Sequence, residues 1–328
     1  MTRSLVIVHP GSLGDVLVAV PAMRRLQARY PGRDTLLIAH DSISRLLVAC
    51  GIVNASMSWD GPGGAGLFSR GAPLPGELTT WLNRCDAAVA WLDGYKDTLR
   101  ATFREFHIAR VWIQSPSSPV LRAKHQSDRF LEIVEESAGD GLSERFVQVS
   151  PGIVEAGSAC LERIGIPRGR PFVLVHPGSG SAHKCLNPTT IAGIVQRLDQ
   201  QGLLPVIIEG PADQHAVERV LQAINSRPPI LRNLDLPTLG GVLVQSQCLL
   251  GHDSGVTHLA ALLGVRTVAV FGPTDPARWA PLGDHVTIVR GPSCHCPSWG
   301  DVQACHEKPC LAVPVDQIFT SLEAAGLT

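Results

Sequence analysis

The stretch Leu249-Leu250-Gly251-His252-Asp253-Ser254-Gly255-Val256-Thr257-His258-Leu259-Ala260-Ala261-Leu262 sets the reading of the chain. It opens on a short apolar run, turns through a tight polar segment, and continues as an apolar helix. Asp253 or Ser254 can cap that helix, and Gly255 lets a ligand come close to the backbone. The first turn of a helix has N–H groups without intrahelical partners and a partial positive charge, which suits a phosphate. An ordinary capped helix after a strand would look the same, so the surrounding sequence has to separate the two readings.

Working outward, the strand-turn-helix unit recurs. Residues 5–8 (Leu-Val-Ile-Val) form a continuous apolar run, as in a strand covered on both faces. A turn over 9–14 follows, then a helix over 15–26 that Pro21 is expected to bend. Residues 36–39, 87–91 and 108–112 read as further strands, with helices over 42–50 and 96–106. In the second half, 172–175, 204–208 and 266–271 read as strands, and 187–200, 213–224 and 236–244 as helices. Strands alternating with helices at this spacing imply parallel sheets. Val8-His9-Pro10-Gly11-Ser12 recurs as Val175-His176-Pro177-Gly178-Ser179, each time after an apolar strand. The echo points to two similarly built α/β domains, expected at 1–165 and 166–313, with the polar segment 152–170 between the halves. Ligands of such sheets bind beyond the carboxyl ends of the strands.

Composition narrows the function classes. The 328 residues are 45% hydrophobic and 17% charged, as in a folded globular protein. A net charge of −1 gives no reason to expect nucleic acid as a partner. No apolar run approaches the roughly 18 residues of a membrane span, and the run after Arg3 is too short for a signal peptide. A cytoplasmic protein is expected, with its nine cysteines reduced. The Gly/Pro-rich stretch 61–76 reads as a surface loop. The stretch 115–127, with Arg122, Lys124 and His125, is a candidate for meeting an anionic acceptor.

Several residues have the right chemistry for a site. Lys184 ends Pro177-Gly178-Ser179-Gly180-Ser181-Ala182-His183-Lys184, where small residues admit a phosphate and the lysine supplies charge. The spacing is not that of a Walker loop, so ATPase chemistry is not implied. In Glu209-Gly210-Pro211-Ala212-Asp213 a carboxylate is placed either to accept ribose hydroxyls or to cap a helix. Gly272-Pro273-Thr274-Asp275-Pro276 shapes the end of a strand. Asp15, at a strand-to-helix turn, is either an N-cap or a proton acceptor held near a helix start. Cys294, His295, Cys296, Cys305, His306 and Cys310 form the one metal-like cluster. Its spacing is not a standard zinc ribbon or finger, so reduced cysteines in a surface loop are favoured over structural zinc.

Together, Ser12-Leu13-Gly14-Asp15-Val16, Lys184 in its Gly/Ser loop, Asp253-Ser254-Gly255-Val256-Thr257-His258 and Phe271-Gly272-Pro273-Thr274-Asp275-Pro276 resemble glycosyltransferase family 9, the ADP-heptose:lipopolysaccharide heptosyltransferases and their relatives. The resemblance implies a GT-B fold, an α/β architecture of two Rossmann-like domains whose parallel sheets face a central cleft. The first domain would hold a glycan or glycolipid acceptor and the second an ADP-sugar donor. Residues 314–328 would form a helix crossing back to the first domain. Asp15 would be the general base of an inverting, metal-independent transfer. Ser179, Gly180, Lys184, Asp253, Ser254, Gly255, Val256, Thr257 and His258 would hold the diphosphate. Leu234 would line the base and Asp213 would contact the ribose. His9, Ser12 and Gly14 would lie on the acceptor side; His9 stands where many members carry Lys or Arg, which leaves the acceptor and donor sugar open. No cofactor and no catalytic metal are expected. A monomer, with peripheral contact to the inner membrane, completes the picture. A nucleotide-sugar epimerase and a non-catalytic nucleotide-sugar-binding protein are the competing readings.

Overall fold

The apolar runs form the buried strands of two parallel sheets. The structure, a computed structural model, describes residues 2–69, 71–117, 124–134, 147–294 and 296–327. The chain divides into two units, Met1–Arg145 and Phe146–Thr328. In the first, β1 (Ser4–Val8), β2 (Asp34–Ala39), β3 (Ala55–Ser58), β4 (Cys85–Trp91) and β5 (Arg110–Gln114) lie in the order β3-β2-β1-β4-β5. In the second, β6 (Phe172–Val175), β7 (Leu204–Glu209), β8 (Ile230–Arg232), β9 (Cys248–His252), β10 (Thr267–Val270) and β11 (Val286–Val289) lie in the order β11-β10-β9-β6-β7-β8. The first strand of each sheet therefore sits in the middle, and the chain leaves it to one side before returning on the other. Such a reversal of strand order is where α/β sheets bind ligands. Both His-Pro-Gly-Ser turns follow that central strand, β1 in one unit and β6 in the other.

Four expectations change. The helix expected over 15–26 is two helices, Leu13–Val18 and Val20–Arg29, meeting at Ala19. Pro21 falls in the first turn of the second helix, where its missing N–H costs no hydrogen bond. The segment 152–170, expected as a polar separator, contains a 13-residue helix, Pro151–Arg163. This helix belongs to the second unit, so the units part at Arg145/Phe146 instead of at 165. The terminal helix, Val315–Ala324, was expected to cross to the first domain. Within the second unit it packs against the helix Pro188–Gln200 and against β10 and β11. Its apolar face of Ile318, Phe319 and Leu322 is fully buried in that unit's core, which fixes it there. Finally, β3, β8 and β11 are short or only partly buried, and their weak apolar signal hid them from the sequence reading.

The helix Pro151–Arg163 packs where it does because of glycine. It lies against the helix Leu236–Leu243 so closely that a Cβ on Gly157 would fall 2.4 Å from the carbonyl carbon of Gly241. A Cβ on Gly241 would lie 2.0 Å from the oxygen of Ile153. Gln245 closes the contact: its amide donates to Val154 O at 3.1 Å and its oxygen accepts from Ser158 Oγ at 2.8 Å. Glycines that look like loop markers in the sequence are here the price of a backbone-to-backbone contact.

The candidate acceptor segment 115–127 falls partly outside the described residues, since 118–123 are not among them. Of its described cations, Lys124 pairs with Glu132. His125 accepts from Ser127 N at 3.2 Å and so caps the helix Gln126–Glu132. No helix among the described residues is long and apolar enough to cross a membrane.

Gly157→Ala is expected to destabilise the protein by about 1–3 kcal/mol, since the added methyl meets backbone that cannot yield. Gly152→Ala, where a Cβ meets nothing within 4 Å, is the control. Thermal melts of the two variants should separate, the first falling by several degrees and the second staying level.

Candidate active site

The ends of β6, β9 and β10 bring the second unit's polar motifs into one network. Ser254 is the N-cap of the helix Gly255–Leu262, its Oγ accepting from Thr257 N at 3.4 Å. Asp253 is thereby left for other work. Its Oδ2 accepts from Lys184 Nζ at 2.7 Å and from Thr274 Oγ1 at 2.6 Å. Its backbone oxygen accepts from Ser179 Oγ at 2.6 Å. One residue thus ties together the Gly/Ser loop after β6, the turn after β9 and the turn after β10. Gly180 has open space around its Cα, so the loop can receive a ligand group there. Gly255 and Val256 head the helix and are partly exposed, while Thr257 and His258 are buried.

Beneath this surface lies a second tier that sequence reading did not foresee. His176 Nε2 meets Asp213 Oδ2 at 2.9 Å, and His176 Nδ1 meets Ser254 Oγ at 3.3 Å. His252 Nε2 accepts from Leu186 N at 3.0 Å, and its Nδ1 faces Gly178 O at 3.2 Å. Thr257 Oγ1 donates to His252 O at 2.6 Å. The repeat of His-Pro-Gly-Ser in both halves was the signal that His176 mattered. For His252 and Thr274 the quoted motifs contained the residue but not its partner.

Asp213, proposed from the sequence as a ribose contact, spends Oδ2 on His176 and on Gly210 N at 2.9 Å. Burial pulls its carboxyl upward, but the hydrogen bond and charge of His176 and the Gly210 N–H outweigh that and hold it below the usual range. Glu209, the other carboxylate of that motif, is paired with Arg232 at 3.3 Å. Leu234 is partly exposed in the loop before the helix Leu236–Leu243, whose N-cap is Asp235. The unit also holds a cavity of about 680 Å³ lined by Gly178, Ser179, Asp213, Arg219, Lys308 and Pro314 among others. Ser179 and Asp213 border it; Lys184, Leu234 and the 253–258 turn do not.

In the first unit, Asp15 is the third residue of its helix and reaches back to the N-cap. Its Oδ2 accepts from Ser12 N at 3.1 Å and from Ser12 Oγ at 2.7 Å. The carboxylate is half-exposed and fixed in direction by this capping box. Gly11 is required beside it: a Cβ there would lie 2.7 Å from His9 Cε1 and 2.9 Å from Asp15 Cβ. Gly14 lies in the same first turn. His9, expected on the acceptor side, is fully buried. Its ring stands against Trp91 and Phe130 at centroid distances of 5.8 and 5.4 Å, and its Nδ1 accepts from Gly11 N at 3.3 Å. The imidazole shapes the turn that carries Asp15 and presents no open surface to a ligand.

Burial pushes both His9 and His252 down to about 4 from the ordinary 6.5. The fold therefore needs them neutral, while the unfolded chain protonates them near 6.5. Their contribution is intact above that pH and is lost as pH falls toward 4. Urea midpoints measured at pH 7.5 and pH 5 should show a loss of about 2 kcal/mol per buried imidazole. NMR titration should find both rings still neutral at pH 5.

The chain matches glycosyltransferase family 9 (heptosyltransferase) over residues 89–308. Lipopolysaccharide heptosyltransferase 3 of Escherichia coli is 25% identical over 130 residues, 38% of this chain and 38% of that protein, so this match spans well under half of the relative. Lipopolysaccharide heptosyltransferase 2 of Escherichia coli strain K12 is 23% identical over 313 residues, 87% of each chain. Among solved structures, E. coli ADP-heptose lps heptosyltransferase II is similar with a TM-score of 0.78 at 19% identity, over 98% of both chains. That likeness, with the two parallel sheets, shows the GT-B fold class. A match running from within β4 to the cysteine segment takes in most of the chain and all of the strand-end network around Asp253, and it shows that the chain belongs to glycosyltransferase family 9, the heptosyltransferases.

Proposed function

We propose that this chain is an inverting glycosyltransferase that moves a sugar, heptose in the first instance, from an ADP-sugar to a lipopolysaccharide-type acceptor, without a catalytic metal. The observation that carries the reading is the Lys184–Asp253 pair, set among Ser179, Thr274 and the head of the helix Gly255–Leu262. A diphosphate leaving group needs fixed positive charge and N–H donors where a metal is lacking. Lys184, the Gly/Ser loop and that first helical turn supply both, at the carboxyl ends of parallel strands. The curated relatives are lipopolysaccharide heptosyltransferases, which favours the heptose donor and the lipopolysaccharide-type acceptor.

In this reading the first unit binds the acceptor and the second the donor. Asp15 withdraws the proton of the acceptor hydroxyl. The resulting oxygen attacks the donor's anomeric carbon, and the bond from that carbon to the diphosphate breaks with inversion. The ADP product leaves with its new charge held by Lys184 and the backbone N–H groups. Ser12 positions the base by holding one carboxylate oxygen and leaving the other for the hydroxyl.

Transfer assays with a panel of ADP-, UDP- and GDP-sugars test this. An ADP-sugar should raise the melting temperature most, because stabilisation follows affinity. Asp15→Asn should lower kcat by about 10²–10⁴-fold while keeping the donor-induced shift. Lys184→Met should weaken donor binding by roughly 10–100-fold, the worth of a hydrogen bond to a charged group. Turnover that survives in Asp15→Asn, or a rearranged free sugar formed without acceptor, would overturn the assignment.

A further inference from the structure

A strip of aromatic side chains that the proposed reaction leaves unused runs along the carboxyl ends of the first sheet's strands. His40 follows β2, Trp59 follows β3 and Tyr95 lies shortly after β4. Asp15 sits in the helix after β1, at the same end of the sheet. The rings touch in series. His40 meets Trp59 at a centroid distance of 5.5 Å, Trp59 meets Phe68 at 6.0 Å, and Phe68 meets Tyr95 at 5.4 Å, all edge-on. Trp59 Nε1 donates to His40 Nδ1 at 3.1 Å, so the indole N–H is used within the strip.

The strip is held rigidly. The stretch 61–76, expected as a surface loop, includes a short helix, Pro62–Ala65, and a 3-10 turn, Gly66–Phe68, directly after β3. A Cβ on Gly64 would fall 2.5 Å from Trp59 Cα, so this helix rests on the backbone of Trp59. Trp59 and Phe68 are half-buried against the unit's core. Tyr95 differs from both, with 59% of its surface exposed. Its φ of 50° lies in the left-handed region, directly after Gly94 at 78°. A bulky side chain rarely adopts that conformation, and where one does, the strain tends to serve a ligand. Burial gives no reason for it, because most of the ring stays in water.

A fixed aromatic ring with an open face suits the face of a pyranose, whose C–H groups are drawn to the negative face of the ring. The polar groups beside it fit the same occupant. Asp93, two residues before Tyr95, is exposed and accepts from Ser115 Oγ through Oδ1, which leaves Oδ2 for a sugar hydroxyl. Asp60, at the far end of the strip, is exposed and accepts from Ser58 Oγ at 2.5 Å. Lys96 is followed by Asp97, so the start of the helix Lys96–Glu105 adds no net charge. Asp60 and Asp93 therefore leave the strip negative, which opposes a phosphate or an anionic lipid surface. One exposed ring also offers far too little area for a protein partner.

We propose that Tyr95, backed by Phe68 and Trp59, is a stacking subsite for an uncharged pyranose of the acceptor glycan, with Asp93 accepting a hydrogen bond from one of its hydroxyls. The inference rests on the reading that the first unit binds the acceptor. The subsite acts on which acceptor is held and takes no part in bond making. It favours a neutral sugar over a phosphorylated one at this position.

Saturation-transfer difference NMR on the full-length chain tests this, with the methyl glycosides of mannose, glucose and galactose and their 6-phosphates as probes. At least one methyl glycoside should take up saturation from the protein, and its 6-phosphate should take up less. Tyr95→Ala should weaken that binding by about 5–10-fold, and Tyr95→Phe should recover most of it. Leu282→Ala, which removes an exposed apolar side chain of the second unit, should leave it unchanged. In transfer assays Tyr95→Ala should raise the acceptor KM and keep the donor-induced melting shift. Sugar binding that depends on Tyr95 in a chain without transfer activity would keep the subsite and remove the reaction. Transfer with an acceptor KM untouched by Tyr95→Ala would remove the subsite alone. The comparison of glycosides with their phosphates uses the wild-type chain, so it does not depend on how the variants fold. No saturation transfer to any methyl glycoside, or tighter binding of the phosphorylated sugars, would also overturn the subsite.

Discussion

The contact between Lys184 and Asp253 is the constraint on which the second unit's strand ends depend. Asp253 is almost fully buried and Lys184 is partly exposed, so the carboxylate has little water to fall back on. Removing one partner of such a pair costs more than the pair contributes, because the other charge is stranded. The pair has a chemical consequence too. In the proposed reading Asp253 would repel an incoming phosphate, yet it also holds the lysine in place, which lowers the side-chain entropy lost when a ligand arrives. Thr274 shares the carboxylate, and Ser179 holds the same residue's backbone, so three loops are joined at one residue.

The geometry of the sheets explains why these loops meet. In each unit the central strand is followed by His-Pro-Gly-Ser, and in each the imidazole is turned inward. His9 braces the turn that carries Asp15. His176 joins Ser254, the cap of a helix, to Asp213, which fixes the next loop. Both turns use the same device, a buried imidazole under a glycine turn, with Asp15 on the rim of one and Ser179 on the rim of the other. Burying His9 neutral carries an energetic cost in acid, and the gain is rigidity where a mobile turn would misplace the carboxylate of Asp15.

Rigidity is also supplied from outside the sheets. The helices Pro151–Arg163 and Leu236–Leu243 approach through Gly157 and Gly241, and the second of them opens beside Leu234. On another side, the cysteine segment reaches the Gly/Ser loop through Lys308. In the proposed reading, a diphosphate held by backbone amides would need that backbone fixed, since N–H groups cannot reorient independently as side chains do.

The sequence alone determined the class of the fold and most of the residues of interest. Continuous apolar runs alternating with helices require parallel sheets, and the repeated turn after the first strand marks two of them. Asp15, Lys184 and the Asp253–His258 turn stood out only in combination, because each alone reads equally well as a helix cap or a loop residue, whereas together they resemble the motifs of glycosyltransferase family 9. What tertiary structure decided was partnership. Nothing in the chain's order says that Asp253 answers Lys184 and Thr274, that Asp213 serves His176, or that His9 is sealed between Trp91 and Phe130. The helix Pro151–Arg163 was hidden because its glycines have low helical propensity and are tolerated only by the contact they permit. An amphipathic pattern in the terminal helix shows that a face is buried but not against what; Ile318, Phe319 and Leu322 pack in the second unit's core. Free thiols were favoured over structural zinc at the late cysteines because their spacing is irregular, and the approach of Cys294, Cys296 and Cys305 to one another depends on the path of the backbone between them.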